Sequence, residues 1–180
     1  MQRIAGRGSR YGLVLTLKRL VEHGIVTAIP AARGNLYQLN RNHVLTPIVI
    51  AAARIRVDVE RKLAEAIDNL TPRPLSSALY GSVARGEATA DSDIDLLLIA
   101  AAGLDPDAEA WIAQINNLER YARSWTGNTL QTITVTQPQL AHMAAAKAAI
   151  IAEWERDVHT LTGQDARNLI RVARKDTETI

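Results

Sequence analysis

Two aspartates two residues apart, Asp93 and Asp95, open an apolar run that continues through Leu96, Leu97 and Leu98. In a strand, residues two apart point to the same face. The spacing therefore sets both carboxylates side by side, with Ile94, Leu96 and Leu98 turned the other way. Two carboxylates so placed repel each other and call for a cation. Hard oxygen ligands suit Mg2+ or Mn2+, ions that commonly also hold substrate phosphates. Upstream, Leu75 to Tyr80 reads as an apolar strand that ends in Gly81-Ser82. A residue without Cβ, exposed backbone N–H groups and a hydroxyl are what a phosphate group needs. Arg85 follows Gly81 by four residues, within reach of a phosphate or of a surface ion pair with Glu87 or Asp91. Ser92 is expected to cap or orient the loop between the two strands.

Gly81-Ser82, ten intervening residues, then Asp93-x-Asp95 resembles the signature of the DNA polymerase beta-type nucleotidyltransferase superfamily. The fuller string GSVARGEATADSDIDLLL resembles the small, minimal nucleotidyltransferase branch of it. The resemblance is carried by residues from about Leu75 to Ala100 and extends to about Thr136. It implies an α+β domain with a small mixed sheet flanked by helices. It implies transfer of an NMP from an NTP, ATP first, to a protein or nucleic-acid acceptor, with Mg2+ or Mn2+ as cofactor. Asp93 and Asp95 would hold the metal and act in catalysis, while Gly81, Ser82 and Arg85 would bind the nucleotide. Small members of this branch act as antitoxins that modify a HEPN-type toxin, which makes such a toxin the expected protein partner.

The superfamily adds a third carboxylate on the next long strand, facing the first two. Here that strand is Leu130 to Thr136, and its expected site-facing residues are Thr132, Thr134 and Thr136. Asp and Glu are absent from Asn128 to Ala152. Either two carboxylates suffice, or a third arrives from elsewhere, with Glu119 as a candidate. The alternative is a transcription regulator that uses a degenerate transferase domain to sense a nucleotide.

The elements that must position these residues follow from the rest of the 180-residue chain. Ser9 can cap a helix with Val14, Leu17, Leu20 and Val21 on one face, stopped by Gly24. Ile25 to Ile29 forms a strand, Pro30 to Gly34 a turn with Arg33 at its tip, and Asn35 to Leu39 the returning strand. Helix, strand, basic turn, strand is the order of a winged helix-turn-helix. Met1 to Ala5 would end the preceding helix and Gly6 to Gly8 make the turn, so the module is partial. LKRLVEHGIVTAIPAARGNLYQLN resembles the recognition helix and wing of bacterial winged-helix regulators. That reading sets Ser9, Arg10, Tyr11 and Lys18 against DNA, with Arg33 on the wing.

A long helix from Thr46-Pro47 to about Leu70 links this module to the next, or serves as a dimerisation helix that makes a homodimer. Thr71-Pro72-Arg73-Pro74 breaks it. The expected organisation is residues 1–45 winged helix-turn-helix, 46–71 linking helix and 72–180 nucleotidyltransferase domain with C-terminal helices. Within the last, Asp105-Pro106 is expected to cap and start a helix carrying Trp111, Ile112, Ile115, Leu118 and Tyr121. A strand over 130–136 and a helix from Gln137-Pro138 follow. Two further helical pieces lie around 150–156 and 165–174, separated by Leu161-Thr162-Gly163.

Composition narrows the classes further. Cysteine is absent, which removes disulfides, thiolate metal sites and cysteine nucleophiles and fits a reducing cytoplasm. The N-terminus has no apolar segment behind its basic residues, and no run approaches membrane-spanning length. The four histidines, at 23, 43, 142 and 159, have no ligand spacing. The formal charge of +2 conceals an asymmetry. Residues 1–45 hold seven Lys/Arg against Glu22 alone, and the remainder fourteen against eighteen Asp/Glu. A basic front on an acidic body implies two modules with different partners.

Overall fold

The structure, a computed structural model, describes residues 9–32, 34–88 and 92–178. It divides into two compact units, Met1–Val57 and Asp58–Ile180, whose boundary falls within the long helix. Among the described residues, no helix is long and apolar enough to cross a membrane.

In the first unit, Ser9 caps α1 (Arg10–Glu22), its hydroxyl accepting from Gly12 N–H at 3.0 Å. This satisfies one of the backbone donors that a helix start leaves open. Strands β1 (Val26–Ala31) and β2 (Gly34–Leu39) then pair antiparallel. β1 runs through Pro30, which lies opposite Asn35, so the turn is tighter than the expected Pro30 to Gly34. The helix–strand–strand order is as expected; the helix and turn expected over residues 1–8, and Arg33, lie outside the described residues. α2 (Thr46–Asp68) is a single helix of 23 residues, with proline tolerated at its first turn. Its second half carries Leu63 and Ile67, both fully buried in the core of the second unit.

The second unit is built on a four-stranded mixed sheet in the order β5-β4-β3-β6. β3 (Ser76–Tyr80) pairs antiparallel with β4 (Ile94–Ile99), and β4 pairs parallel with β5 (Leu130–Val135). The Gly81-Ser82 turn is one turn of helix, α3 (Gly81–Ala84). The helix expected at Asp105-Pro106 begins later, as α4 (Glu109–Thr126). Asp105 instead accepts from Asp107 N–H at 3.0 Å and closes a local turn. Thr136 and Gln139 form a capping box at the start of α5 (Gln137–Ala145), which is followed by α6 (Ala149–Asp157) and α7 (Ala166–Glu178).

The segment expected only to separate two helices is a strand, β6 (His159–Gly163), antiparallel to β3. Ser76 donates to Gln164 O at 2.7 Å, and Ser77 shares a 2.9 Å hydrogen bond with the Thr162 hydroxyl, so the two buried serines are satisfied across this pairing. Gly163, at φ +81°, passes so close to β3 that a Cβ would lie 2.3 Å from Leu75 O.

Both faces of the sheet are covered. One buries Leu79, Ile94, Leu96 and Leu98 against α2 and α4. The other buries Ala78, Tyr80, Leu97 and Ile99 against α5, α6 and α7. Strands covered on both sides read as near-continuous apolar runs, as Ile94 to Ile99 does.

Candidate active site

Tyr80 pairs with Asp95 across the β3–β4 register, so the chain leaves β3 directly beside the second aspartate. It turns there at Gly81, whose φ of +67° disfavours any residue with a Cβ. Space excludes a Cβ as well: it would lie 2.3 Å from Asp95 Oδ2. Gly81 is thus fixed by the close approach of backbone and carboxylate. Ser82 follows on α3, and its carbonyl accepts from Glu87 N–H at 2.8 Å, folding the next loop back over the turn. Asp93, just before β4, is exposed, while Asp95 is partly buried. The entry of β4 is held by Ile94 N–H to Thr129 O at 2.8 Å and by Asn128 Nδ2 to Ser92 O at 2.9 Å.

The register of β5 corrects the sequence reading of the third position. Asp95 pairs with Gln131, Leu97 with Ile133 and Ile99 with Val135. The carboxylate face of β5 is therefore Gln131, Ile133 and Val135. Thr132 and Thr134 share the opposite face with Leu96 and Leu98, where the Thr134 hydroxyl accepts from Trp111 Nε1 at 3.2 Å. Gln131 faces the site and donates to Asp93 Oδ2 at 2.6 Å. Glu119 sits on α4, the helix that packs on the face away from Asp95.

A different carboxylate comes near. Burial raises the pKa of Asp95 first, then the charge of Glu153, then that of Asp93, with Arg85 opposing. Tyr80 is pushed up to about 12, by burial and then by Asp95 and Glu153. Glu153 lies on α6, one residue before Trp154, whose fully buried ring meets Tyr80 edge-on at 5.9 Å. Glu153 stands one position beyond the acid-free stretch from Asn128 to Ala152. The available signal was helical phase: in AIIAEWERD, Glu153 adjoins the aromatic residue that must be buried.

Arg85 caps α3 and holds two carboxylates, Glu87 at 2.8 Å and Asp157 at 2.5 Å. Of the two expected surface partners, Glu87 is engaged, and Asp91 lies outside the described residues. Asp157, at the end of α6, also accepts two hydrogen bonds from Arg156, at 2.7 and 2.9 Å. The hydrogen bonds from Arg156, then from Arg85, hold its pKa down at about 2.

The residues fit a divalent cation by donor chemistry. Asp93 and Asp95 offer hard oxygens, and the turn keeps the Asp95 carboxylate clear of any side chain at position 81. Among the described residues, no three His, Cys, Asp or Glu groups stand close enough to hold a metal by themselves. Two carboxylates completed by substrate phosphates is the usual arrangement for Mg2+.

The N-terminal candidates are spread along α1. Ser9 is used as the cap, Tyr11 is 78% exposed, and Lys18 lies 3.8 Å from Glu22 on the exposed surface. The side chain of Arg10, like Arg33, lies outside the described residues.

Residues 60–140 match the sequence model of a family described as the nucleotidyltransferase domain. That span contains Gly81, Ser82, Arg85, Asp93, Asp95 and Gln131, and ends before Glu153 and Asp157. No curated protein matches the chain. Among solved structures, a toxin-antitoxin with AMP-PNP is similar at 19% identity, over 67% of this chain and 84% of that chain, with a TM-score of 0.46. A mutant of the toxin-antitoxin MntA-HpeT is similar at 15% identity over 67% and 84%, also with a TM-score of 0.46.

Proposed function

We propose that the second unit is a metal-dependent nucleotidyltransferase that moves an NMP from an NTP, ATP first, to a protein or nucleic-acid hydroxyl. The observation that carries this reading is Gly81 held in a left-handed conformation directly against the Asp95 carboxylate, with Asp93 beside it. In the reaction the acceptor oxygen bonds to the α-phosphorus, the bond to the β-phosphate oxygen breaks, and pyrophosphate leaves with the electron pair. Such transfer is mostly positioning and charge neutralisation. Gly81 and Ser82 offer backbone N–H groups and a hydroxyl to the phosphates. Arg85 adds a cation whose field already reaches Asp95. Asp93 and Asp95 would hold Mg2+ or Mn2+, which when bound neutralises phosphate charge and activates the attacking oxygen. Gln131 keeps Asp93 oriented through its amide.

The resemblance of GSVARGEATADSDIDLLL to the minimal branch supports an antitoxin role toward a HEPN-type toxin. The exposed Tyr11 and Lys18 on a capped helix support a DNA contact by the first unit. A second reading, a regulator that senses a nucleotide without turning it over, is favoured by one feature: the carboxylate face of β5 presents Gln131, Ile133 and Val135 and no acid.

Incubation with α-labelled ATP and Mg2+, with and without lysate, separates the two. Labelling of an acceptor that vanishes in Asp93→Asn/Asp95→Asn supports transfer. ATP binding without labelling under any condition supports the sensor. For DNA, a mobility shift weakened by Lys18→Ala supports the contact, and no shift even at low salt removes it.

A further inference from the structure

Beyond the nucleotide site, the second unit carries a basic cleft between α6 and α7. Its volume is about 570 Å³, and Arg156, Arg171, Arg174 and Lys175 line it, with Glu155 as the single acid. The cleft is joined to the catalytic turn by contacts. Arg156 lies on the carboxylate of Asp157, and Asp157 also holds Arg85, which caps α3. At its other end, Ala152, Glu155 and Arg174 are shared with a second cleft of about 370 Å³ that includes Lys147. Lys147 is the only described non-glycine residue with positive φ, at 51°. The cations thus form a track from Lys147 past Arg174, Lys175 and Arg171 to Arg156 and Arg85. It lies on the covered side of the sheet that bears Asp95.

We propose that this track binds the phosphate backbone of a single-stranded nucleic acid, which is the acceptor of the nucleotidyl group. The proposal rests on the reading of this unit as a transferase. Charge complementarity selects the occupant. On a helix surface, residues three or four apart are neighbours, with Cβ atoms about 5–6 Å apart. Arg171 stands at that interval from Arg174 and Lys175, and its solvent-facing position repeats a positive charge along α7. A strand repeats its negative charge at every unit, whereas a peptide does so only where its sequence is acidic. Arginine forks also match phosphate oxygens two at a time. Glu155, which takes Arg174 at 2.9 Å, and Asp157, which takes Arg156, do not cancel the field: four cations against these two acids leave an excess of two positive charges. The terminal hydroxyl oxygen of a bound strand would bond to the α-phosphorus at the Gly81 turn as the bond to the β-phosphate oxygen breaks; pyrophosphate leaves with the electron pair and the hydroxyl proton passes to water.

Fluorescence anisotropy with the full chain and a labelled single-stranded oligoribonucleotide, at two salt concentrations, tests this. Arg171→Ala/Lys175→Ala is expected to weaken binding by roughly tenfold and to reduce the salt slope by about one to two. Arg171→Lys should retain most of the affinity, and Arg171→Glu should lose more than Arg171→Ala. ATP affinity of the double variant, measured in parallel, reports an intact nucleotide site. The proposal is overturned if the double variant binds the strand normally, or if Lys18→Ala/Arg19→Ala removes the binding instead. It is equally overturned if labelled ATP marks a protein acceptor to the same extent in wild type and double variant. Failure of the transferase reading looks different: wild type binds the strand through the track yet transfers no label to any acceptor.

Discussion

The two units bury their apolar residues to very different extents. Among the described residues of 9–57, Thr46 alone is buried, while Tyr11, Val14, Leu36, Ile48 and Ile55 are each more than half exposed. In the second unit both sheet faces are sealed, and Leu79, Leu96, Leu97, Leu98, Ile99 and Trp154 have no exposure. Hydrophobic stabilisation scales with apolar area removed from water. The second unit therefore has the means to fold around its site, and the first contributes mostly secondary structure held by local bonds. A catalytic constellation needs rigid support, because small displacements of positioned groups are costly in rate. A surface that meets an outside partner has no such need, and its apolar residues can stay outward until that partner covers them.

The largest effect expected from this contrast is on stability. Trp154→Ala removes a fully buried ring packed on Tyr80 and should cost about 3–5 kcal/mol in urea unfolding. Val14→Ala, at a residue 55% exposed, should stay within about 0.5 kcal/mol. Equal losses at the two positions would break the comparison.

Gly81→Ala comes next. The left-handed conformation costs a residue with a Cβ roughly 1–2 kcal/mol. The Cβ must also push the Asp95 carboxylate away from 2.3 Å. We expect a moderate loss of stability together with a loss of ATP labelling of at least a hundredfold, the scale set by removing one preorganised electrostatic group. Normal labelling by the variant would show that the close approach of the turn to Asp95 is not needed for the proposed transfer.

This turn was legible in the sequence because glycine, serine and paired aspartates at fixed spacing have few other uses. The strand that should complete the site was legible only in outline. Leu130 to Val135 alternates, but both sets of residues are β-branched or apolar, and the strand is covered on both faces. Alternation then does not say which set meets the carboxylates. The parallel register with β4 decides it, in favour of Gln131, and registers are long-range facts. β6 was missed for a related reason. His159 to Gly163 carries little apolar pattern of its own, and it becomes a strand because Ser76 and Ser77 of β3 bond to it. The start of α4 was misplaced because Asp105 serves a turn as readily as a helix cap. Glu153 needed the packing of Trp154 on Tyr80 before its charge could be assigned to the site.

A smaller effect sharpens the contrast in the first unit. Ser9→Ala removes the cap of α1 and should cost about 1 kcal/mol, the usual value for such a loss. The cost should appear as reduced helicity and faster amide exchange confined to α1, with ATP affinity unchanged. Loss of ATP affinity would mean that the two units are energetically coupled.

The smallest effect concerns acid stability, and its sign follows from Asp157. Arg156 and Arg85 hold its folded pKa at about 2, below the value of about 3.9 for an unfolded aspartate. The ionised form is favoured by folding, so the contribution is fully present above about pH 4. It is lost as the pH falls toward 2, because the unfolded chain takes up the proton first. Asp157→Asn removes that titration, and the stability of the variant should fall less steeply between pH 4 and pH 2, by up to one proton in slope. The exposed Lys18–Glu22 pair, at 3.8 Å, belongs to a class that contributes little. Glu22→Gln should therefore change stability at neutral pH by less than about 0.5 kcal/mol. If Glu22→Gln costs as much stability at neutral pH as Asp157→Asn does, then the ion pairs of the two units are equivalent, and the contact that ties α6 to the Gly81 turn has no special strength.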